Sequence, residues 1–489
     1  MKKLFTSFFL FLVFLLPLHA QSTSFMNGNV EVSQAQSLIH QLTHQSGIPL
    51  RGNVFTTGDS MRFHSIVQGV LQDSNDIGIA AGIMDARDAR WSDALNNKAV
   101  SPTAKMDRNF VLGIGSNTKS ITSAAILLLM EDGKLTLEDP LSKWLPTYPN
   151  VDPDITIRQC LQMTSGIFNF TDNSKFFAAI SANPTKIWTP DEVLTTFVDK
   201  AVFPKGTSWQ YSNTNYVLLG LIIEKASGMS YQQFVRQRII EPLGLSSMSF
   251  YPLENPTASM AHPWADINND GKPDDLTSIG FSLKSFFSSA GAAGAYLATP
   301  QDLARWNYAL FSGKLLKPET LDEMKKEYKL NAQTGYGLGI LVLHTPAGDL
   351  FGHNGSIIYQ SLVYYQPDLG VSISAIVNNI HDGGSLVPTF NGLLNGYFSI
   401  ITSSSNPIEE RLLVPSPFHS DLYIQSKNSM AFKINILDLS SGKTIYRSPV
   451  YIKDQIHLNT SSWRDGLYIL EVMEENGGTF QKKILKLSR

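Results

Sequence analysis

The chain opens on an apolar stretch, Leu4 to Leu16, set between Lys2-Lys3 and the exit Pro17-Leu18-His19-Ala20. A basic start, a short apolar centre and a small-residue exit predict a secretory signal over 1–20, cleaved after Ala20, because a bilayer span needs about 20 apolar residues. No later stretch reaches that length. From 60 to 401 the pattern is mixed. Ile77 to Met84 and Gly335 to Leu343 predict strands. Ser120 to Glu131, Tyr216 to Ser227 and Tyr231 to Ile240 repeat apolar residues at helical spacing, the second stopping at Gly228. Residues 146–154 and 258–279 are rich in turn formers and predict loops.

The texture changes at Thr402-Ser-Ser-Ser-Asn-Pro407, a polar linker. Beyond it come short β-rich runs, Asp421 to Gln425, Ala431 to Asp438, Thr444 to Tyr446, Gly466 to Val472 and Thr479 to Leu487. Ser-Gly at 441–442, Asp-Gly at 465–466 and Gly477-Gly478 break them, which predicts a small antiparallel β-sandwich. The chain therefore divides into a signal (1–20), an N-terminal extension (21–59), a mixed domain (60–401), a linker (402–409) and a β-module (410–489).

Composition narrows the function. Of 489 residues, 43% are hydrophobic and 17% charged, which excludes a disordered or coiled-coil chain. A net charge of -3, with no long basic run, argues against nucleic acid as a partner. The single cysteine, Cys160, excludes an intramolecular disulfide and a thiolate metal cluster. No Gly-x-Ser-x-Gly elbow, Walker loop, dinucleotide-binding glycine fingerprint or His-Glu-x-x-His is present. His40 and His44 have chelating spacing but no third ligand nearby, and read as surface positions of a helix. Asp266-Ile-Asn268-Asn-Asp270-Gly271 resembles the first half of a calcium loop, yet Thr277 stands where a bidentate Glu belongs; turn formation accounts for its polar residues. No metal or cofactor is expected.

The chemistry-bearing segment is Gly113-Ile-Gly-Ser116-Asn-Thr-Lys119, leading into the apolar helix Ala124-Ala-Ile-Leu-Leu-Leu-Met130. Three residues apart at a helix start, Ser116 and Lys119 share a face. A serine needs a base to take its proton, and a lysine desolvated among apolar neighbours can be that base. The helix N-terminus adds backbone N–H groups where an oxyanion develops. Two more segments follow, Tyr211-Ser-Asn213 before a helix and Phe351-Gly-His353-Asn354-Gly355-Ser356. Taken singly, one reads as a helix cap and the other as a turn.

Together and in this order, they resemble the Ser-x-x-Lys, Tyr-x-Asn and His-x-Gly motifs of the serine β-lactamase-related superfamily: class C β-lactamases, D-alanyl-D-alanine carboxypeptidases, D-aminopeptidases and family esterases. Ile155-Thr-Ile-Arg158, Thr164-Ser-Gly166, Pro242-Leu-Gly-Leu245, Ala290-Gly-Ala-Ala-Gly294 and Thr299-Pro-Gln-Asp302 agree with it. The resemblance implies an α+β fold, an antiparallel sheet flanked by helices plus a mostly helical region, with the site between them. It implies Ser116 as acylated nucleophile, with Lys119 and Tyr211 sharing general base and acid duty. Asn213 would bind the substrate amide and orient Lys119. His353, Asn354 and Gly355 would line the substrate, and the N–H groups of Ser116 and Ser356 would form the oxyanion hole. Asn354 replaces a small hydroxyl residue that helps bind the substrate carboxylate in many relatives, and His353 replaces their lysine. The grip on a carboxylate is thereby weakened, so peptidase or esterase activity is expected ahead of β-lactam hydrolysis. The implied substrate is a small acyl, ester or peptide compound, the peptidoglycan stem peptide among them. The alternative is a catalytically silent surface-binding protein on the same scaffold.

The β-module resembles the C-terminal sorting domain of the Bacteroidetes type IX secretion system, through Val414-Pro-Ser-Pro-Phe418, Asp438-Leu-Ser-Ser-Gly-Lys443, Asp465-Gly-Leu-Tyr468 and the closing Lys482-Lys483-Ile-Leu-Lys486. Pro415-Ser416-Pro417 stands where Pro-Asn-Pro is usual. This resemblance implies the secretion machinery as partner and a secreted or cell-surface location reached through the periplasm.

Overall fold

A computed structural model describes residues 54–96, 106–267, 270–345, 348–380, 383–402, 412–414, 418–426, 431–438, 443–449, 451–474 and 479–486. The signal, the extension carrying His40 and His44, the linker beyond Thr402, Asn268 and Pro415-Ser416-Pro417 lie outside the described residues. The chain forms two compact units, one drawn from 53–394 and the other chiefly from 395–489.

In the first unit, α1 (Thr57–Gln72) begins at Thr56, which exchanges hydrogen bonds with Asp59 and so satisfies free N–H groups of the first turn. Its buried stripe, Phe63, Val67 and Leu71, faces the sheet, with Phe63 5.2 Å from Trp91. β1 (Gly78–Asp85) is buried at every position, as a strand covered on both faces must be. β2 (Arg90–Asn96) pairs with it. Then come α2 (Thr118–Glu131), α3 (Asn213–Ser227), α4 (Pro300–Phe311), β3 (Tyr328–Lys329), β4 (Thr334–Tyr336), β5 (Leu341–Thr345), β6 (Gly348–Ile357), β7 (Tyr359–Gln366), β8 (Val371–Val377) and α5 (Leu386–Thr402). The strands make one sheet in the order β2-β1-β8-β7-β6-β5-β4-β3. The register sets Ile79 opposite Val377 and His353 opposite Val363, both in antiparallel pairs. α4 lies on the sheet, where the Ser374 hydroxyl donates to the Pro300 carbonyl at 2.6 Å.

Helix α2 is buried from Thr118 through Leu129. A helix buried all round must find partners for its polar side chains. Ser120 accepts from Trp306 Nε1 at 2.9 Å, and Thr122 donates to the Ala292 carbonyl at 2.7 Å. α3 runs from Asn213 to the left-handed Gly228, which stops it as expected.

Two segments depart from expectation. Gly335 to Leu343 is not one strand: β4 and β5 fold back on each other, Leu341 opposite Tyr336. The apolar run hides a turn at Gly339, whose positive φ of 78° suits glycine and whose missing Cβ leaves room for the Ser123 and Tyr216 hydroxyls of α2 and α3. Tyr231 to Ile240 is helical, but changes from α-helix at Tyr231–Val235 to a π turn at Arg236–Ile240. The 146–154 loop is free of helix and strand, and the 258–279 loop carries a two-residue pairing of Trp264–Ala265 with Asp274–Asp275.

The second unit builds two antiparallel sheets. β9 (Leu412–Leu413), β10 (Asp421–Ser426) and β13 (Gln455–Asn459) form one; β11 (Phe432–Asp438), β12 (Lys443–Arg447), β14 (Gly466–Glu474) and β15 (Thr479–Lys486) form the other. Leu422, Ile424, Phe432, Ile434, Ile436, Leu470, Val472 and Ile484 make their shared core. Five of the strands lie where the alternation placed them. β13 is short and has only two apolar residues, Ile456 and Leu458, which makes its signal in the sequence weak.

Candidate active site

Ser116 lies in a single 3₁₀ turn, Gly115–Asn117, that feeds directly into α2. Gly113, Ile114, Gly115, Asn117 and Thr118 around it are buried, and Ser116 alone is half-exposed, so its hydroxyl faces out of the core. Gly115 holds φ at 50°, and a Cβ there would stand 2.6 Å from the backbone nitrogen of Ser356 on β6. Only glycine lets the Ser116 turn and the strand edge approach this closely. Gly355 meets the same junction from the other side, packed against the Ile114 carbonyl and the Asn117 amide. The Asn117 amide donates to Ile114 O at 3.1 Å and to Ser361 Oγ at 2.9 Å, fastening the turn to β7. The Ser356 main chain is thus brought against the turn that carries Ser116.

One turn beyond Ser116, at the start of α2, Lys119 is fully buried. Its Nζ lies 2.9 Å from Ser116 Oγ, 2.7 Å from Asn213 Oδ1 and 2.8 Å from the Ala293 carbonyl. Burial holds the Lys119 pKa well below that of a free lysine. A neutral amine has two N–H groups and one lone pair. With the two carbonyl oxygens taking the N–H groups, the lone pair is aimed at the Ser116 hydroxyl. Tyr211 approaches from the other side and donates its O–H to Ser116 Oγ at 2.7 Å. Burial raises its pKa, against the smaller opposing effect of the Ser116 bond, so the phenol stays protonated. The Lys119 nitrogen also sits 4.8 Å from the Tyr211 ring centre and 5.5 Å from that of Tyr216. Asn213 is itself fixed, its N–H donating to Asn169 Oδ1 at 3.0 Å.

The strand edge supplies the third part. His353 is 4% exposed and faces Tyr211, ring centres 6.3 Å apart. Its Nδ1 lies 2.5 Å from the Asn354 carbonyl and its Nε2 3.2 Å from the Tyr336 hydroxyl. Burial is the chief cause that pushes its pKa down to about 3. Side chains alternate along a strand, so Asn354 turns to the opposite face. There its Oδ1 accepts from Tyr364 at 2.9 Å, beside Phe390 of α5. The structure therefore gathers Ser116, Lys119, Tyr211, Asn213, His353, Gly355 and the Ser356 main chain, and engages the Asn354 side chain elsewhere. Two participants have no role in the sequence reading: the Ala293 carbonyl, a backbone acceptor within the Ala290-Gly-Ala-Ala-Gly294 segment, and Tyr336, concealed in the segment read as one strand. Trp209 extends the aromatic wall, 5.6 Å from Tyr336. Among the described residues no cluster of His, Cys, Asp or Glu is arranged to hold a metal.

A buried amine aimed at a half-exposed serine, with a neutral phenol beside it and a strand edge packed against the serine's turn, is the constellation of serine acyl-transfer hydrolases. Comparison gives the family. The beta-lactamase family profile matches residues 63–387, and the chain belongs to that family. A second profile, the secretion system C-terminal sorting domain, matches 413–486, and marks the protein for secreted or cell-surface export. Penicillin-binding protein 4* of Bacillus subtilis is 28% identical over 260 residues, half of this chain and 56% of that protein. The chain thus spans little more than half the length of this curated relative. Among solved structures, a D-stereospecific amidohydrolase from Streptomyces sp. is 28% identical with a TM-score of 0.59, covering 68% of this chain and 98% of its own. The D-amino acid amidase of Ochrobactrum anthropi SV3 is 26% identical with a TM-score of 0.58, covering 69% and 99%. Serine β-lactamase-like hydrolases share this fold, and the mixed antiparallel architecture conforms to it.

No helix among the described residues is long and apolar enough to cross a membrane.

Proposed function

We propose that the protein is an exported serine hydrolase that transfers an acyl group to Ser116 and then to water, in the manner of D-peptidases, D-amino acid amidases and esterases. The observation that carries this reading is the convergence of Lys119 Nζ and Tyr211 O–H on one serine oxygen, at 2.9 and 2.7 Å. In the acylation step Ser116 Oγ attacks the substrate carbonyl as its proton passes to the Lys119 amine. The N–H groups of Ser116 and Ser356 receive the developing oxyanion. Tyr211 O–H protonates the leaving nitrogen or oxygen as the carbonyl bond to it breaks, and the Lys119 ammonium gives the tyrosinate the proton it took from Ser116. Deacylation reverses these roles with water as nucleophile. Asn213 and the Ala293 carbonyl hold Lys119 on line throughout. The completeness of this set favours turnover over a silent binding role.

A fluorophosphonate should label Ser116 stoichiometrically, and mass spectrometry of the labelled peptide locates it. A second expectation concerns pH. The base must be the neutral amine, so kcat/KM should rise tenfold per pH unit up to the lowered Lys119 value and then level off, with no fall until above about pH 10, because Tyr211 titrates above its usual range. An ordinary lysine would delay the plateau to about pH 10.4. A rate still climbing at pH 10 would contradict the assignment of Lys119 as base.

The same reading takes 1–20 as the signal, 60–401 as the catalytic domain, 402–409 as the linker and 410–489 as the sorting module recognised by a type IX system. Cut at Asn406, the enzyme should keep its turnover in vitro within about twofold, because domains joined by polar linkers fold independently. In a native host the truncated form should accumulate in the periplasm. Its normal delivery to the surface or medium, measured by fractionation, would refute the sorting role.

A further inference from the structure

We infer that the site discriminates against substrates with a free carboxylate on the leaving group or acyl chain. This deepens the hydrolase reading and rests on it. The argument is the disposition of the groups that could receive an anion. A carboxylate in a closed site needs a fixed cation or several spare N–H donors to replace its lost water. Lys119 has neither reach nor a spare direction: its nitrogen is held by Ser116, Asn213 and the Ala293 carbonyl, and the residue is fully buried.

His353 occupies the strand-edge position facing the cleft, and both its ring nitrogens are committed. The Asn354 carbonyl can only accept, so Nδ1 carries the proton; Nε2 is then an acceptor and takes the Tyr336 O–H. The ring thus offers a substrate neither charge nor N–H. Asn354, the other candidate, has its Oδ1 engaged by Tyr364 on the opposite face of the sheet. On β6 the Ser356 hydroxyl meets Gln360 Nε2 at 2.9 Å, a neutral pair. Electrostatics agrees with this geometry. Burial is the largest cause of the shift at each of Lys119, Tyr211, Tyr336 and His353, and it favours the uncharged form of each. What remains beside the nucleophile is an aromatic wall of Trp209, Tyr211 and Tyr336. It suits an apolar or amide-bearing group and gives an anion no counter-charge.

The test uses the whole protein and two matched pairs of esters. Para-acetoxybenzamide and para-acetoxybenzoate differ by a carboxylate on the leaving group; phenyl butyrate and monophenyl succinate differ by one on the acyl chain. The neutral member of each pair should show kcat/KM at least about tenfold higher, and should protect Ser116 from fluorophosphonate at about tenfold lower concentration. Equal or better turnover and protection by the carboxylates would overturn the inference while leaving the acyl-enzyme reading intact. Failure of Ser116 to label at all would instead overturn that reading, and the inference with it.

Discussion

Replacing Ser116 by alanine should abolish covalent labelling and lower turnover by roughly four to six orders of magnitude, the scale on which hydrolases lose rate with their nucleophile. The structure explains why no neighbour can substitute. Ser120 donates to the Asn117 carbonyl and accepts from Trp306, and Ser123 faces Tyr216; each is buried on another side of α2. Ser212 is buried as well. The fold should survive. Ser116 is half-exposed, and Lys119 keeps its bonds to Asn213 and Ala293 after the hydroxyl is gone. The loss is one hydrogen-bonding centre, about 1 kcal/mol. Denaturant unfolding should shift by no more than that, whereas labelling that persists at the wild-type rate would sink the nucleophile assignment.

The parts of this site legible in the sequence are those that depend on a side chain at fixed local spacing. Ser116 and Lys119 lie one helical turn apart, so their meeting follows from helix geometry alone. Tyr211 and Asn213 start a helix whose apolar residues and terminal Gly228 are plain in the pattern. What the pattern conceals is long-range or backbone-borne. The Ala293 carbonyl orients Lys119 across 174 positions of chain, and a carbonyl has no signature in a sequence. Tyr336 reaches His353 only because the chain reverses at Gly339, and a short apolar run with glycines reads equally as a strand. The facing of Asn354 was within reach: period two sends neighbours of an inward histidine outward. Strand order in the sheet, with β1 between β2 and β8, rests on contacts nearly 300 positions apart, which local pattern does not encode.

Lys119→Arg should be almost as damaging as loss of the nucleophile, and for a reason that separates charge from base strength. Turnover should fall by about two to four orders of magnitude, the usual contribution of a general base. A guanidinium stays protonated at any working pH, so it has no lone pair to take the Ser116 proton. The acid limb of the pH profile should therefore vanish in the variant instead of moving. Stability should fall as well. The native pocket offers Lys119 two neutral carbonyl oxygens and a hydroxyl and no carboxylate, so a permanent cation there is buried without a counter-charge, a situation that costs several kcal/mol. The wild-type lysine escapes most of that cost by shedding its proton. Its folded pKa is lowered, so between that value and about 10.4 the unfolded chain holds one more proton than the native one, and this group's contribution makes stability rise with pH across the window. The arginine variant, charged in both states, should lose that slope. Melting curves at several pH values read the stability effect, and fluorophosphonate labelling reads the chemistry. An arginine enzyme within tenfold of the wild type would show that Lys119 acts by its charge, and would pass the role of base to Tyr211.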